Sequence, residues 1–405
     1  MSRLTELIEQ LCPDGVEYRP LGELLAYQQP TPFLVSSKDY DPSYPTPVLT
    51  AGAAFLLGYS SETHGVYAAS TDDPVIIFDD FTTASKWVDF PFKLKSSAAK
   101  ILTAADPSVA DIRFLYFLMQ TIKYQVGSHA RHWIAVYSKM PVCCPPLEVQ
   151  REIVRILDQF TTLEAELEAE LEARRTQYEH YRNHLLSYES LAARGPVSWS
   201  ALRELGVWSG GGTPSKSRGD YWVDGTIPWI TPKDMRSSKI QDSMMNVTDK
   251  AVRESNVKLI EAPSIALVVR SSILQHTFPV AQIDVDATFN QDMKVLVVDP
   301  DRFERRYIYY ALSANGQEIL RQTSKQGGSV NSLVVPQLMD FEIPVPEIDE
   351  QRRIADLLDR FDALVNDITS GLPAEIAARR AQYEHYRDRL LSFPEKAGSG
   401  GSVAS

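Results

Sequence analysis

The chain has 405 residues, of which 44% are hydrophobic, so it is long enough for two or three domains with separate cores. Its formal net charge of −12 argues, over the whole chain, against a nucleic-acid partner. Residues 148–190 carry a net charge of −5 and residues 346–396 one of −3, however, which leaves only −4 for the rest and permits a local basic face there.

Cysteine usage and hydropathy favour a reduced, cytoplasmic protein. The number of cysteines is odd, and the three residues, Cys12, Cys143 and Cys144, lack CxxC spacing. Neither a disulfide framework nor a zinc site is therefore indicated. No apolar run approaches the roughly 20 residues of a membrane span. The N-terminus lacks a basic-then-apolar leader.

The first predicted domain covers residues 1–144 and opens with the short amphipathic helix LTELIEQL. The pattern that follows is mixed. PVIIFDD at 74–80 is typical of a buried strand, and DIRFLYFLMQTI at 111–122 is typical of a helix.

Residues 145–190 form the first predicted helical spacer. Seam positions follow one another in steps of four and three residues without a break, and only Glu164 and Arg174 among them are charged. This spacing predicts a coiled-coil seam. Its apolar members are Ile153, Leu157, Phe160, Leu167, Leu171, Tyr178, Tyr181, Leu185 and Tyr188. Within it, residues 163–174 read LEAE, LEAE, LEAR. Such a unit, nearly one turn long, can be gained or lost at about 6 Å each; a Glu/Ala-rich solvated helix is the alternative.

The second predicted domain covers residues 191–345. Its opening, PVSWSALREL, corresponds to GVEYRPLGEL near the start of the chain. Strand-like runs at 264–270 and 293–299 and a helix-like run at 305–320 again indicate a mixed fold.

Residues 346–394 form the second predicted spacer, and residues 395–405 a flexible tail. The seam repeats at Ile354, Leu358, Phe361, Val365, Ile368, Leu372, Ile376, Arg379, Tyr383, Tyr386, Leu390 and Phe393. A 4+4 step beside Gly371 and Pro373 predicts a kink or interruption there.

The two spacers are near-copies of each other. PPLEVQREIVRILDQF (145–160) matches PVPEIDEQRRIADLLDRF (344–361), and QYEHYR occurs at 177–182 and again at 382–387. Matched apolar seams in one chain should pack on each other. We therefore predict an α+β fold with two globular mixed α/β domains separated by two long helices that form a coiled coil, nearly two-fold in design.

The sequence lacks most of the motifs that mark catalytic or nucleotide-binding sites. An amino-methyltransferase would need a glycine-rich cofactor turn and a [DNS]PP[YFW] loop, and the nearest stretch, DPSY (41–44), lacks the second proline. Asp292-x-Lys294 is the only candidate for a Mg²⁺-dependent nuclease. SGGGTPSK (209–216) lacks P-loop spacing.

Two histidine pairs have ligand-like spacing without a recognisable third ligand: His129 with His132, and His180 with His184. No catalytic residue and no metal ligand is therefore predicted.

Basic, polar and aromatic loops occur in both globules. Lys and Arg for phosphates, with Asn and Gln for base edges, are the residue types of DNA recognition. The DNA-binding candidates are Lys86, Lys93, Lys95, Arg131, His132, Lys216, Arg218, Lys233, Arg236, Lys325 and Asn331. Each loop taken singly is also compatible with an ordinary solvated loop.

Together these pieces closely resemble the specificity (S) subunit of type I restriction–modification systems over nearly the whole chain. The resemblance rests on the repeated P-x3–4-Q-x-x-I start of a long helix, its ARR-x-QYEHYR-x-x-LLS end and GVEYRPLGEL. GTPS…YW…GTIPWITPKDM (212–235) and GGSVNSL (327–333) resemble the family's target-recognition domains.

The resemblance implies two target-recognition domains, each reading half of a split, asymmetric DNA site and held apart by two antiparallel helices. Methyltransferase (M) subunits would bind S-adenosylmethionine and modify adenine, and restriction (R) subunits would cleave. This chain would then be a non-catalytic scaffold without its own cofactor. The LEAE ladder resembles the family's tetrapeptide repeats, whose number sets the gap between half-sites.

Duplication of QYEHYR would provide two equivalent docking surfaces, one for each M subunit. The seam places the four tyrosines Tyr178, Tyr181, Tyr383 and Tyr386 in the core. His180, Arg182, His385 and Arg387 would be freer to meet partners. Two alternatives stay open: a structural coiled-coil adaptor without DNA contact, and a self-contained nuclease.

Overall fold

The computed structural model of the chain describes residues 3–50, 52, 54–126, 130–325, 331–366 and 371–396. His129, residues 326–330 of the second polar loop and the tail from 397 onward lie outside the described residues. The chain forms two compact units, Met1–Glu168 with Ile376–Ser405, and Ala169–Glu375. Among the described residues, no helix is long and apolar enough to cross a membrane.

The first unit contains a globular fold of short strands and few helices. Its elements are α1 (Arg3–Leu11), β1 (Glu17–Pro20), α2 (Leu21–Leu24), β2 (Leu25–Gln28), β3 (Thr46–Leu49), β4 (Leu56–Ser60), β5 (Val75–Asp79), β6 (Ser85–Val88), β7 (Lys93–Leu94), β8 (Ala99–Ala104), α3 (Ile112–Thr121), β9 (Pro141–Cys144) and the first part of α4 (Leu147–Leu185). The sheets have the orders β2-β8-β5-β6, β4-β3-β7 and β1-β9. Strand β5, VIIFD, is buried throughout, as its continuous apolar run predicts.

The second unit repeats this mixture with a larger sheet. Its elements are the later part of α4, α5 (Tyr188–Ala192), β10 (Val197–Ala201), β11 (Gly206–Gly210), β12 (Ile227–Ile230), β13 (Lys239–Ile240), β14 (Asn246–Val247), α6 (Asp249–Glu254), β15 (Ser264–Val268), β16 (Val280–Ile283), β17 (Thr288–Phe289), β18 (Met293–Val298), α7 (Arg305–Ala314), α8 (Gly316–Thr323), α9 (Val335–Asp340), β19 (Glu342–Pro346) and α10 (Ile348–Asn366). Helix α11 (Gly371–Leu390) follows, and from Ile376 onward it belongs to the first unit. Sheet orders are β11-β18-β15-β16-β13, β14-β12-β17 and β10-β19. Strand β15, SIALV, is fully buried.

The opening and closing strands of each globule pair in the same way. Antiparallel β1 and β9 place Glu17 opposite Cys144, and antiparallel β10 and β19 place Val197 opposite Pro346. The start of each globule therefore lies beside the start of the long helix that follows it.

In the first unit, α11 runs antiparallel to α4. The ring of Phe160 stacks 5.6 Å from that of Tyr386, and Arg380 binds Glu164 and Glu168. Helix α4 itself has 39 residues, about 60 Å, and such a partner covers part of its apolar stripe.

In the second unit, the later part of α4 packs with α10. Tyr178 and Leu186 share one buried core with Ile354, Leu358 and Val365. The predicted α+β fold, with two mixed globular units and long helices, is confirmed.

The predicted interruption of the second spacer is also confirmed. Gly371 has φ +73°, outside the right-handed helical region, so α10 and α11 are not one continuous helix. A Cβ at this position would lie 2.4 Å from the carbonyl oxygen of Leu364, and only glycine fits there without strain.

The predicted seam is only partly buried. Ile153, Leu157, Tyr178, Ile354 and Leu358 are buried, and Phe160, Leu167, Leu171, Leu185, Tyr383 and Leu390 are half-buried. Tyr181, Phe361 and Tyr386 are 46%, 38% and 39% exposed, which corrects their prediction as core residues. A two-helix seam covers only one side of a bulky ring, whereas Tyr178 is also covered by the globule, where Tyr309 is near.

Candidate functional site

Two of the five DNA-binding candidates in the first globule are buried. The Lys93 ammonium donates a hydrogen bond to the His64 carbonyl at 2.7 Å and pairs with Glu62 at 3.1 Å. His132 Nδ1 lies 3.2 Å from the Tyr124 hydroxyl. Their polar atoms are used inside the fold, so we do not propose them again as DNA contacts.

The other three candidates in this globule reach solvent. Lys95 and Arg131 are exposed, and Lys86 is half-exposed on β6. The Lys95 ammonium lies 5.7 Å from the centre of the Tyr40 ring. A loop cation beside an aromatic ring is compatible with a phosphate or base contact.

All six candidates in the second globule are exposed: Lys216, Arg218, Lys233, Arg236, Lys325 and Asn331. Arg218 differs from the others because its guanidinium is already held by Asp220 at 2.7 Å and Glu254 at 3.2 Å. The pair with Arg218, aided by Lys250, holds the pKa of Asp220 well below its usual range. The Arg218 guanidinium therefore stabilises its own loop.

Three cations that line one cleft were not among the predicted DNA-binding residues. Arg175, Arg182 and Lys239 join the predicted Arg236 around a cleft of about 660 Å³ in the second unit. Arg175 and Arg182 are seven residues apart, so they share one face of α4; this spacing was the available signal.

Two carboxylates, Asp359 and Asp362, also line this cleft. Asp359 binds Arg306 at 2.7 Å and accepts a hydrogen bond from Tyr310 at 2.6 Å, and Asp362 accepts one from the Asn366 amide at 2.9 Å. Four cations against two occupied carboxylates make the cleft attractive to an anion.

The two QYEHYR copies have the same local geometry. The Arg182 guanidinium lies 5.7 Å from the Tyr178 ring, and Arg387 lies 5.7 Å from the Tyr383 ring. In each copy the histidine meets the following tyrosine edge-on, at 5.8 Å in the first and 5.6 Å in the second. His180, Tyr181, His385 and Tyr386 are exposed. Each unit thus presents the same aromatic and imidazole surface.

The nuclease candidate is engaged in ordinary contacts. Asp292 pairs with Arg270 at 3.1 Å and accepts a hydrogen bond from the Asn290 amide at 3.1 Å. Among the residues that the structure describes, no group of three or more His, Cys, Asp or Glu side chains could hold a metal ion.

Comparisons with known proteins agree with one another. A family model described as "Type I restriction modification DNA specificity domain" matches residues 196–378. The specificity subunit of the Escherichia coli type I restriction enzyme EcoR124I/EcoR124II is 50% identical over 404 residues, 98% of each chain. A putative type I specificity subunit of Haemophilus influenzae is 29% identical and covers 69% of this chain and 72% of its own length.

Solved structures show the same fold. The crystal structure of the type I restriction–modification S subunit from M. genitalium matches with a TM-score of 0.55 and 14% identity, over 93% of this chain and 96% of that one. A chain from a study of complex assembly and conformational transition of the type I R-M system matches with a TM-score of 0.56 and 17% identity, over 94% and 98%.

Proposed function

This chain belongs to the specificity-subunit family of type I restriction–modification systems, and we propose that each of its globules reads one half of an asymmetric, bipartite DNA site. The segments 1–144 and 191–345 are the target-recognition domains in this proposal, and 145–190 and 346–394 are the helical spacers. The spacers set the gap between the half-sites.

A duplicated framework that carries different loops is the observation behind this proposal. Strand pairing around each globule and the geometry of QYEHYR recur in both units. The solvent-accessible side chains that we propose for base contacts do not recur: they are Lys86, Lys95 and Arg131 in one globule and Lys216, Lys233, Lys325 and Asn331 in the other. Equal supports with unequal loops suit two half-sites of different sequence.

The cleft lined by Arg175, Arg182, Arg236 and Lys239 adds a contact that does not depend on sequence. Lysine and arginine side chains position a protein on DNA through backbone phosphates, whereas base contacts specify sequence. We assign this cleft to the DNA backbone, which reconciles the acidic chain with a DNA partner.

Catalysis belongs to partners in this proposal. Two M subunits that carry S-adenosylmethionine dock on the exposed histidine–tyrosine surfaces at His180–Tyr181 and His385–Tyr386, and R subunits complete the complex. Aromatic residues are enriched at such interfaces because they bury large areas and lose little rotamer entropy. The complex acts on DNA in the cytoplasm.

Sequence-resolved DNA selection with the chain co-purified with its M subunits tests this function. We expect two different half-sites separated by a fixed gap. Deleting Leu163–Glu166 removes one helical unit of about 6 Å and should shorten the gap by one to two base pairs while the half-sites stay the same.

Glu166→Ala is the matched control, because it keeps the helix length and should keep the gap. A single contiguous motif would contradict two independent readers. No enrichment at all would favour the structural adaptor, and Mg²⁺-dependent cleavage by this chain alone would favour the nuclease.

A further inference from the structure

A buried glutamine at the start of α4 joins the spacer to the first globule. Gln150 Oε1 accepts a hydrogen bond from the backbone N–H of Asp111 at 2.8 Å. Its Nε2 donates to the carbonyl oxygens of Val109 at 3.0 Å and Pro145 at 2.7 Å. Asp111 is the N-cap residue of α3, so one side chain fixes the start of a globule helix to the start of a spacer helix.

The second unit contains the same arrangement. Gln351 Oε1 accepts from the backbone N–H of Glu304 at 2.9 Å, and its Nε2 donates to the carbonyl oxygens of Pro346 at 2.9 Å and Arg302 at 3.4 Å. Glu304 is the N-cap residue of α7. Both glutamines are essentially inaccessible to solvent, although the globules around them have different sequences.

An arginine makes a second connection in each unit. Arg113, in the first turn of α3, pairs with Asp158 of α4 at 2.8 Å. Arg306, in the first turn of α7, pairs with Asp359 of α10 at 2.7 Å. The two aspartates each lie eight residues after the glutamine, as the repeat requires.

We call the set Gln150, Asp111, Arg113 and Asp158 the first clamp, and Gln351, Glu304, Arg306 and Asp359 the second clamp. Eight helical residues separate the two connections of a clamp, which corresponds to about 12 Å along the spacer. Two attachment points at that separation resist both sliding and tilting of the globule helix. A single hydrogen bond could not resist tilting.

We propose that the clamps are positioning elements that make the gap between half-sites a fixed property of the protein. This inference rests on the proposed function. A spacer can define a distance only if each reader keeps one orientation on it; a reader that tilts would accept neighbouring gaps. The clamp residues touch no base in this proposal and act through the globules that they hold.

The test uses the chain assembled with its M subunits and duplexes that carry both half-sites at the selected gap or one base pair more. Asp158→Ala should lower the preference for the selected gap by about fivefold, the low end of coupling between distant sites. Its preference for correct over scrambled half-sites should stay unchanged. Gln150→Met, which keeps the side-chain volume and loses every hydrogen bond, should act in the same direction. Gln351→Met tests the second clamp in the same way.

Two controls separate positioning from general damage. Asp158→Glu keeps the charge and should restore gap preference. Arg155→Ala removes an ion pair to Glu152 that stays within α4, and should leave both preferences as in the unsubstituted chain.

An unchanged gap preference in assembled Asp158→Ala and Gln150→Met complexes would overturn the proposal. A parallel fall of gap and half-site preference would also overturn it, because the clamps would then only stabilise the globules. Absence of any gap preference in the unsubstituted complex would reject the proposed function itself, and is seen before any variant is made. If the Gln150→Met chain does not assemble with its M subunits, the Asp158→Ala chain, which changes a half-exposed side chain, decides between these outcomes.

Discussion

At the scale of single residues, the backbone at Gly371 makes a direct prediction about stability. Gly371→Ala should lower the free energy of unfolding by about 1–3 kcal/mol, because an L-residue is strained at φ +73° and its Cβ would meet the Leu364 carbonyl. Urea denaturation followed by circular dichroism measures this. Gly195→Ala, whose Cβ would meet no atom within 4 Å, is the control and should be nearly neutral. Equal effects would contradict the assignment of a glycine-dependent break.

The cleft cations predict a change in salt dependence. Arg236→Ala and Lys239→Ala should each weaken DNA binding by the M-bound chain for all sequences. Each should also reduce the slope of log affinity against log salt by about one, because one phosphate contact is lost. Affinity measured at several salt concentrations shows this, and a loss confined to one DNA sequence would point to base contact instead.

The burial of Lys93 and His132 shows a limit of predicting DNA contacts from the sequence alone. A lysine or histidine in a polar loop is a reasonable DNA contact as long as its partners are unknown. Glu62 lies 31 residues before Lys93, and the backbone N–H groups of Ser37 and Ser36 together with the Lys93 ammonium lower the pKa of its carboxyl group. Such partners are brought together only by the fold, so no local pattern reports them.

At the scale of elements, the two tyrosines of one QYEHYR copy should respond differently to substitution. Tyr178→Ala should destabilise the chain by about 3 kcal/mol or more, because its ring is buried. Tyr181→Ala removes an exposed ring and should leave stability nearly unchanged while weakening assembly with the M subunit. Thermal unfolding and titration calorimetry separate the two effects. Normal M-subunit affinity in Tyr181→Ala would remove this surface from the docking proposal.

Periodicity predicted the long helices well, because a helix repeats its environment every few residues. It could not separate Tyr178 from Tyr181, since both fit the 4/3 alternation and only the neighbouring globule covers the first. Gln150 and Gln351 were visible as repeated letters, but their hydrogen bonds to Asp111 and Glu304 span 39 and 47 residues and required the fold.

At the scale of the whole molecule, buried thiol and phenol groups predict a loss of stability at high pH. Burial raises the pKa of Cys143, Tyr137 and Tyr309 to about 12. These groups therefore keep their protons in the folded chain at pH values where the unfolded chain releases them. The contribution of these groups to the free energy of unfolding should be constant below about pH 8 and fall as the pH rises toward 12.

Urea denaturation between pH 8 and pH 11 measures this dependence. Tyr137→Phe removes one of the ionising groups and should make the decline shallower. A decline of equal steepness in that variant would assign the alkaline loss to other groups.

The LEAE ladder has a further consequence through Arg380, which binds Glu164 and Glu168 across the helix pair of the first unit. Removal of residues 163–166 moves Glu168 and Glu172 into the positions that Glu164 and Glu168 held. Arg380 on the opposite helix then still meets two glutamate carboxylates at the same two positions. Under the proposed function, tandem duplication or loss of a short gene segment would therefore create a protein with a new target without a compensating mutation in the facing helix, and a lineage would change its recognition site in one heritable step.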